Sequence, residues 1–264
     1  MKKFIFPLCI LALSAGAFTS CGDDDDDNNE NKDNGSIVIN QNLKKLVYAS
    51  YDEEIVGIKF EYDSKGRLVK AYRGLKDCNE YVYNGNSFTG TSVTVDWNHV
   101  ISGKLNANGF LETITTQDNN DGKISTTNYY YDKDGHLVKD NTDGGDYSSE
   151  SVYVWVNGDI VSGTEKYHDE GYDEEERSYS FKYTNEFVTT PIENKARFLF
   201  AFPYVETLSD AVSLRNFFGV AGKHLPVSSV DSHGNENNFE WTFDADGYPI
   251  KVVDKYQTLC LTWE

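Results

Sequence analysis

Residues 60–72 read FEYDSKGRLVKAY. The same order of residue types returns as YYYDKDGHLVKDN at 129–141 and as WTFDADGYPIKVV at 241–253, with a looser copy, GKLNANGFLETIT, at 103–115. Each copy carries apolar or aromatic residues into Asp or Asn, passes two further residues to Gly, and leaves on a second apolar stretch. An Asp or Asn side chain accepts hydrogen bonds from the backbone of its own turn, and Gly supplies the positive φ that closes it. Loops this short join antiparallel neighbours, so the unit reads as strand, turn, strand. Between the copies, YVYNGNSFTG (81–90) and YVWVNGDIVSG (153–163) set Asn-Gly between alternating stretches, and TTQDNNDGKIST (115–126) contains Asp-Gly. FKYTNEFVTT (181–190) offers a looser turn at Asn185. The expectation is an all-β protein, an antiparallel β-meander of long hairpins with roughly ten or more strands.

Alternation gives the meander two faces. Aromatics stand two apart before the turns: Phe60/Tyr62, Tyr81/Tyr83, Tyr129/Tyr131, Tyr153/Trp155, Phe181/Tyr183 and Trp241/Phe243. Period two puts each pair on one side of its strand. The rings form either the packed core or a concave ligand surface. The core reading is favoured, because a large sheet must bury one face. One stretch departs from the pattern. TLSDAVSLRNFF (207–218) has apolar residues at helical spacing, with Ser209 or Thr207 as a cap and Gly219 at its end. It predicts one short helix near 207–218 that covers an end of the sheet.

The N-terminus is an address. Lys2 and Lys3 precede an uncharged apolar run, Phe4 to Ala17, too short for a spanning helix and of secretory length. Ala17-Phe18-Thr19-Ser20-Cys21-Gly22 resembles the lipobox of bacterial lipoproteins, although Leu is common where Phe18 stands. The resemblance implies a signal peptide at 1–20 and lipid attachment at Cys21, a firm membrane anchor once two or more acyl chains are in place. GDDDDDNNENKDNGS follows and cannot bury apolar surface, so residues 21–36 read as an acidic flexible tether. The tract resembles the acidic export signals of Bacteroidetes lipoproteins, which implies an outer-membrane, lipid-anchored protein exposed at the cell surface. Residues 37–264 then form a single antiparallel β domain.

Removing Lys2 and Lys3 with the signal takes the formal net charge from −19 to −21. No basic stripe is present to meet phosphates, so no nucleic-acid partner is expected. Cys9 leaves with the signal, and Cys78 and Cys260 are too few for a disulfide scaffold; two separate thiols are slightly preferred to a bond. None of the five histidines sits in a recognised catalytic or metal motif, and His136 and His233 fall at or beside turns, where solvent exposure is the simplest expectation. No pair of carboxylates stands out as a glycosidase pair. The loop 117–122 has part of a calcium pattern but has Asn128 where an EF-hand needs an acidic twelfth residue, and 168–176 reads as an acidic hairpin tip. No catalytic residue, metal site or cofactor is expected.

FFGVAGKHLPVSSV (217–230) followed by NFEWTFDADGYPIKV (238–252) resembles the C-terminal part of a Bacteroidetes lipoprotein domain of unknown function with a porin-like fold, and the YD-type hairpins upstream agree. The resemblance implies an open or partly closed antiparallel barrel and no particular activity. A pore is not expected, since the strands carry Glu61, Lys70, Lys139 and Lys182 where a membrane barrel has an apolar band. The leading functional expectation is a non-catalytic surface binding or interaction module for a glycan or a peptide or protein. The alternatives are an envelope enzyme such as a glycan hydrolase, and a purely structural envelope protein. A direct prediction concerns the anchor. In the Cys21→Ala variant, palmitate labelling should disappear and the protein should leave the membrane fraction; retained labelling would refute the lipobox reading.

Overall fold

The structure, a computed structural model, describes residues 44–51, 57–65, 67–73, 77–93, 98–183, 218–220, 222 and 224–264. It is built of antiparallel strands: β1 (Leu46–Tyr51), β2 (Ile58–Tyr62), β3 (Leu68–Arg73), β4 (Asp77–Asn84), β5 (Ser87–Val93), β6 (Asn98–Leu105), β7 (Leu111–Asp118), β8 (Ile124–Tyr131) and β9 (Leu137–Asp143). The chain continues through β10 (Tyr147–Val156), β11 (Asp159–Asp169), β12 (Glu175–Tyr183), β13 (Pro226–Asp231), β14 (Glu236–Asn238), β15 (Glu240–Phe243), β16 (Pro249–Val253) and β17 (Thr258–Trp263). The antiparallel hairpin reading is borne out. No helix occurs among the described residues. The helix expected at 207–218 lies outside them apart from Phe218, which sits in a bend.

From β1 to β13 each strand pairs with the next, and β17 returns to pair with β1, so the sheet closes on itself as a barrel. β14 and β15 act as two parts of one stave. Only Phe239 separates them, its N–H still donates to Val227 O of β13, and β15 pairs with β16 on its other side. Backbone bonds between Lys45 and Glu264, made in both directions, seal the seam. Lys44 reinforces it. Its ammonium lies 3.0 Å from Asp244 Oδ2 and 2.6 Å from Asp246 Oδ2, and its backbone N–H donates to the Tyr248 hydroxyl.

The register comes from the turns. In the 63–67, 106–110, 132–136, 231–235 and 244–248 connections, Oδ1 of the first residue accepts backbone N–H bonds from the residues two and four places on, at 2.8–3.0 Å. Gly135 and Gly247 occupy the expected closing positions with φ of 83° and 79°; Gly66 lies outside the described residues. The 231–235 turn repeats the device in DSHGN, a copy the sequence reading passed over. In four of these hairpins the first pair past the turn is shifted by one residue: Tyr62↔Leu68, Leu105↔Leu111, Tyr131↔Leu137 and Phe243↔Pro249. That one-residue bulge tightens the local twist and drives Leu68, Leu111, Leu137 and Pro249 into the interior.

The buried face is the inside of the barrel. Phe60, Tyr81, Tyr129, Tyr153 and Phe181, the first members of five of the aromatic pairs, are all in the core. Large rings lie across glycines of the adjoining strand: Tyr81 against Gly90, Phe88 against Gly103 and Tyr179 against Gly163, each a registered pair. A Cβ on any of the three glycines would collide with the facing ring. The second aromatic of a pair often does different work. Tyr62, Tyr83 and Tyr183 hydroxyls donate to the carbonyls of Leu46, Leu68 and Ile160, while Trp155, Trp241 and Trp263 indoles donate to those of Leu137, Pro226 and Pro249, all at 2.7–3.0 Å. Each acceptor sits at or next to the start of the preceding paired strand. These bonds belt the barrel at the end that holds Lys44 and Glu264, the near end. Burial pushes the hydroxyls of Tyr62, Tyr83 and Tyr183 above the ordinary tyrosine range, so they remain protonated donors.

Two substitutions probe this architecture. Gly247→Val places a β-branched residue at φ 79° and should cost about 1–3 kcal/mol in a denaturant titration. Trp155→Phe keeps the ring but strands the Leu137 carbonyl, and should cost about 1–3 kcal/mol.

Candidate functional site

Because strands alternate inward and outward, following the cross-strand register traces the inner wall residue by residue. One row runs Thr127, Thr142, Ser149, Tyr167, Glu175; the next runs Tyr129, Asp140, Ser151, Glu165, Arg177. At the near end the interior is apolar and belted by the aromatic donors. Toward the opposite, far end, on β8–β12, the same inner face turns polar. Thr127 and Thr142 hydroxyls lie 2.8 Å apart, and Ser125, Ser149 and Ser151 add more hydroxyls. Solvent reaches this region: the inward-facing side chains of Arg177 and Glu175 are 48% and 53% exposed. The far end is therefore an open recess with a hydroxyl-rich wall.

Its floor and rim are defined. Asp140, 1% exposed, accepts a 2.7 Å bond from the Tyr153 hydroxyl, and buried Tyr179 stands within electrostatic reach of both Asp140 and Glu165. Burial raises the Glu165 carboxyl above the usual range; the Arg177 charge pulls it back only in part, and Glu175 adds to the rise. At the rim, Tyr147 and Tyr167 stack with centroids 6.2 Å apart and planes 29° from parallel. Tyr147 reaches that position by lying over Gly144, where a Cβ would clash with its ring. Asp140 and Glu165 flank Ser151 on one wall but do not form a hydrolase pair, because Asp140 is sealed from any substrate by burial and by Tyr153.

Elsewhere, groups with site-like composition resolve into structure. Asp132, Asp134 and His136 converge closely enough to hold a metal ion. Yet the His136 Nδ1 to Asp132 Oδ2 approach, 3.1 Å, has direct counterparts in Arg67 Nε donating to Asp63 and Asn235 Nδ2 donating to Asp231. Residue four closing onto residue zero is a property of this turn, and His136 further stacks on Trp155 at 4.4 Å. His136 is thus half-buried in a ring stack, unlike the solvent-exposed turn residue expected, because its turn folds onto β10; His233 is exposed as expected. The 117–122 loop is a hairpin turn, with Gly122 N–H donating to Asp118 O and Asn120 N–H to Asp118 Oδ1, and 168–176 is the tip joining β11 to β12. Cys78 on β4 and Cys260 on β17 are free thiols. Val220 N–H donates to Gly135 O in the 132–136 turn, and Asp159 takes His224 N–H at 2.8 Å and lies 2.5 Å from its Nδ1, so both residues sit at the near end. Cys21 and the tether lie outside the described residues.

The outer wall carries cross-strand ion pairs: Lys70 with Glu80, Lys139 with Glu150, Lys166 with Glu176 and Lys182 with Glu236. Charged pairs thus stud the outer wall, while rings pack the near end of the interior. A family model described as a domain of unknown function (DUF4595) with porin-like fold matches residues 60–251, and the chain belongs to that family. Its fold is similar to the crystal structure of a porin-like protein from Bacteroides uniformis ATCC 8492, with a TM-score of 0.60 and 15% identity over 86% of this chain and 94% of that one. A porin-like protein from Bacteroides vulgatus ATCC 8482 aligns with a TM-score of 0.55 and 14% identity over 82% and 97% of the two chains. No curated protein matches the chain.

The turn reading yields a pH prediction. At Asp63, Asp132 and Asp244, partial burial opposes ionisation but is outweighed by hydrogen bonds, above all from the residue four places on, so each carboxyl is held below the usual range. Carboxyls depressed in the fold stabilise it fully above the unfolded value, about 3.9, and lose that contribution as pH falls through the folded value. Thermal unfolding should therefore shift downward below about pH 4. Asp132→Asn should keep the turn, as Asn106 does in the 106–110 copy, and flatten part of that acid slope. Added divalent metal should leave the melting temperature unchanged; a rise that is lost in Asp132→Asn would restore the metal reading.

Proposed function

We propose that the protein is a non-catalytic binding module, anchored at the outer envelope through lipid on Cys21, whose far-end recess seats a glycan or peptide ligand. The observation that carries this reading is the change in character along a single inner wall. A barrel serving only as a packed scaffold would be apolar inside at both ends; here β8–β12 present hydroxyls, Glu165 and the Tyr147/Tyr167 pair to solvent at one of them. Barrel mouths are common ligand sites, and an aromatic face beside a few polar groups suits a sugar ring or a peptide side chain. The sealed Asp140 speaks against the hydrolase alternative. The acidic tether behind Cys21 supports a surface location and would hold the recess away from the membrane.

A panel of neutral, acidic and amine-bearing oligosaccharides and short peptides, titrated calorimetrically into the protein, tests the reading. At least one class should bind, and Tyr167→Ala should weaken that binding roughly three- to tenfold, about 0.5–1.5 kcal/mol for one lost ring contact. Val154→Thr, on the exposed outer face of β10, should leave it intact. Silence across the panel with intact folding, or binding that Tyr167→Ala does not touch, would count against it.

A further inference from the structure

We propose that the far-end recess takes a ligand bearing a protonated amine, with Glu165 as its counter-ion and the Tyr147/Tyr167 rings against its body. This rests on the recess being the ligand site and adds the charge of what enters it. The charged groups facing the recess come from three strands. β9 supplies Asp140, β11 supplies Glu165 and Asp169, and β12 supplies Glu175 and Arg177; β10 supplies only hydroxyls and rings, Asp146 at the rim is paired with Lys123, and Asp231 of β13 is engaged by its own turn. Arg177, the cation registered opposite Glu165, is engaged by Glu175 of its own strand, and its charge offsets the burial of Glu165 only in part. Its Nε and Nη2 lie 2.9 and 2.8 Å from a single oxygen, Oε1 of Glu175.

Among the described residues no hydrogen bond or salt bridge completes Glu165, and the Arg177 charge compensates only part of its burial in the wall. A carboxylate so placed costs the fold stability unless something completes it. On the outer wall Glu80, Glu150, Glu176 and Glu236 are each paired with a lysine, whereas Glu165 on the inner wall is not. A divalent cation is the poorer complement. The side chains that converge at ligand distance among the described residues are those of Asp132, Asp134 and His136 at the other end of the barrel, not those around Glu165. A single carboxylate flanked by Ser149 and Ser151 hydroxyls offers what an ammonium needs, one charge and two further acceptors. Tyrosine faces close by add attraction for a cation.

Calorimetric titration of the full chain at pH 6 with a glucosamine tetrasaccharide and with its fully N-acetylated counterpart separates charge from shape. The amine form should bind at least tenfold tighter, Glu165→Gln should abolish the difference, and Glu165→Asp should restore part of it. A ligand-free measurement runs beside it. Burial raises the carboxyl of Glu165 in the fold, so its ionisation opposes folding at neutral pH and the penalty fades as pH falls. Glu165→Gln should accordingly raise the melting temperature at pH 7, with the gain shrinking toward pH 4. Equal binding of both sugars, untouched by Glu165→Gln, would overturn the amine and leave the recess reading standing. Binding of neither would overturn it as well, the recess then resting on the wider panel. A melting temperature unchanged or lowered at pH 7 would show that Glu165 is already compensated.

Discussion

A single side-chain oxygen fixes most of this barrel. In five hairpins the Oδ1 atom of Asp or Asn holds two backbone N–H groups of its own turn, which sets where the turn starts and hence the register of both strands. In a sheet with one face buried, a slip of one residue would exchange the faces of a whole strand. Here such a slip would put Phe60 or Tyr129 into solvent and turn Glu61 or Tyr130 inward. The bulges beyond four of these turns depend on the same anchor, and so do the Tyr83, Trp155 and Trp263 donors, whose acceptor carbonyls Leu68, Leu137 and Pro249 lie at the bulged strand starts.

Closure follows from these local devices together with the seam. An open sheet would leave β1 and β17 with unpaired edges. The Lys45–Glu264 backbone bonds and the Lys44 clamp on the 244–248 turn join the two instead, so the first and last described strands depend on each other. With register and closure set, the two ends of the barrel can differ. The near end is filled by rings that are themselves hydrogen-bonded, while the far end keeps hydroxyls and an unpaired carboxylate. The stabilising features cluster at one end and the costly ones at the other, the division expected where a scaffold supports a site.

Much of the fold was legible because its signals are local. Asp-x-x-Gly between alternating stretches declares a hairpin, and aromatics two apart declare an inward face; Phe60, Tyr81, Tyr129, Tyr153 and Phe181 all lie where that rule puts them. The second aromatic of each pair could be placed but its job could not, since a donor's carbonyl partner lies on another strand, 14 to 23 residues away. The far-end recess was illegible for a stronger reason. Ser149, Glu165, Tyr167 and Arg177 are unremarkable in sequence and become neighbours only through registers that span β10–β12. His136 misled in the opposite direction, since a turn position suggests solvent, whereas its hairpin folds its ring onto Trp155.

Everything proposed for this barrel requires ligand to enter at the polar end of the inner wall. Backbone amide NMR of the protein, assigned and titrated with a ligand found in the binding panel, tests it most directly. Shifts should concentrate at Ser149, Glu165, Tyr167, Arg177 and the Gly144–Tyr147 turn, with the 63–67, 106–110 and 244–248 turns at the opposite end unmoved. Shifts confined to the outer face, at Val82, Val100 or Val154, or to Val220 and His224 at the near end, would place the ligand elsewhere.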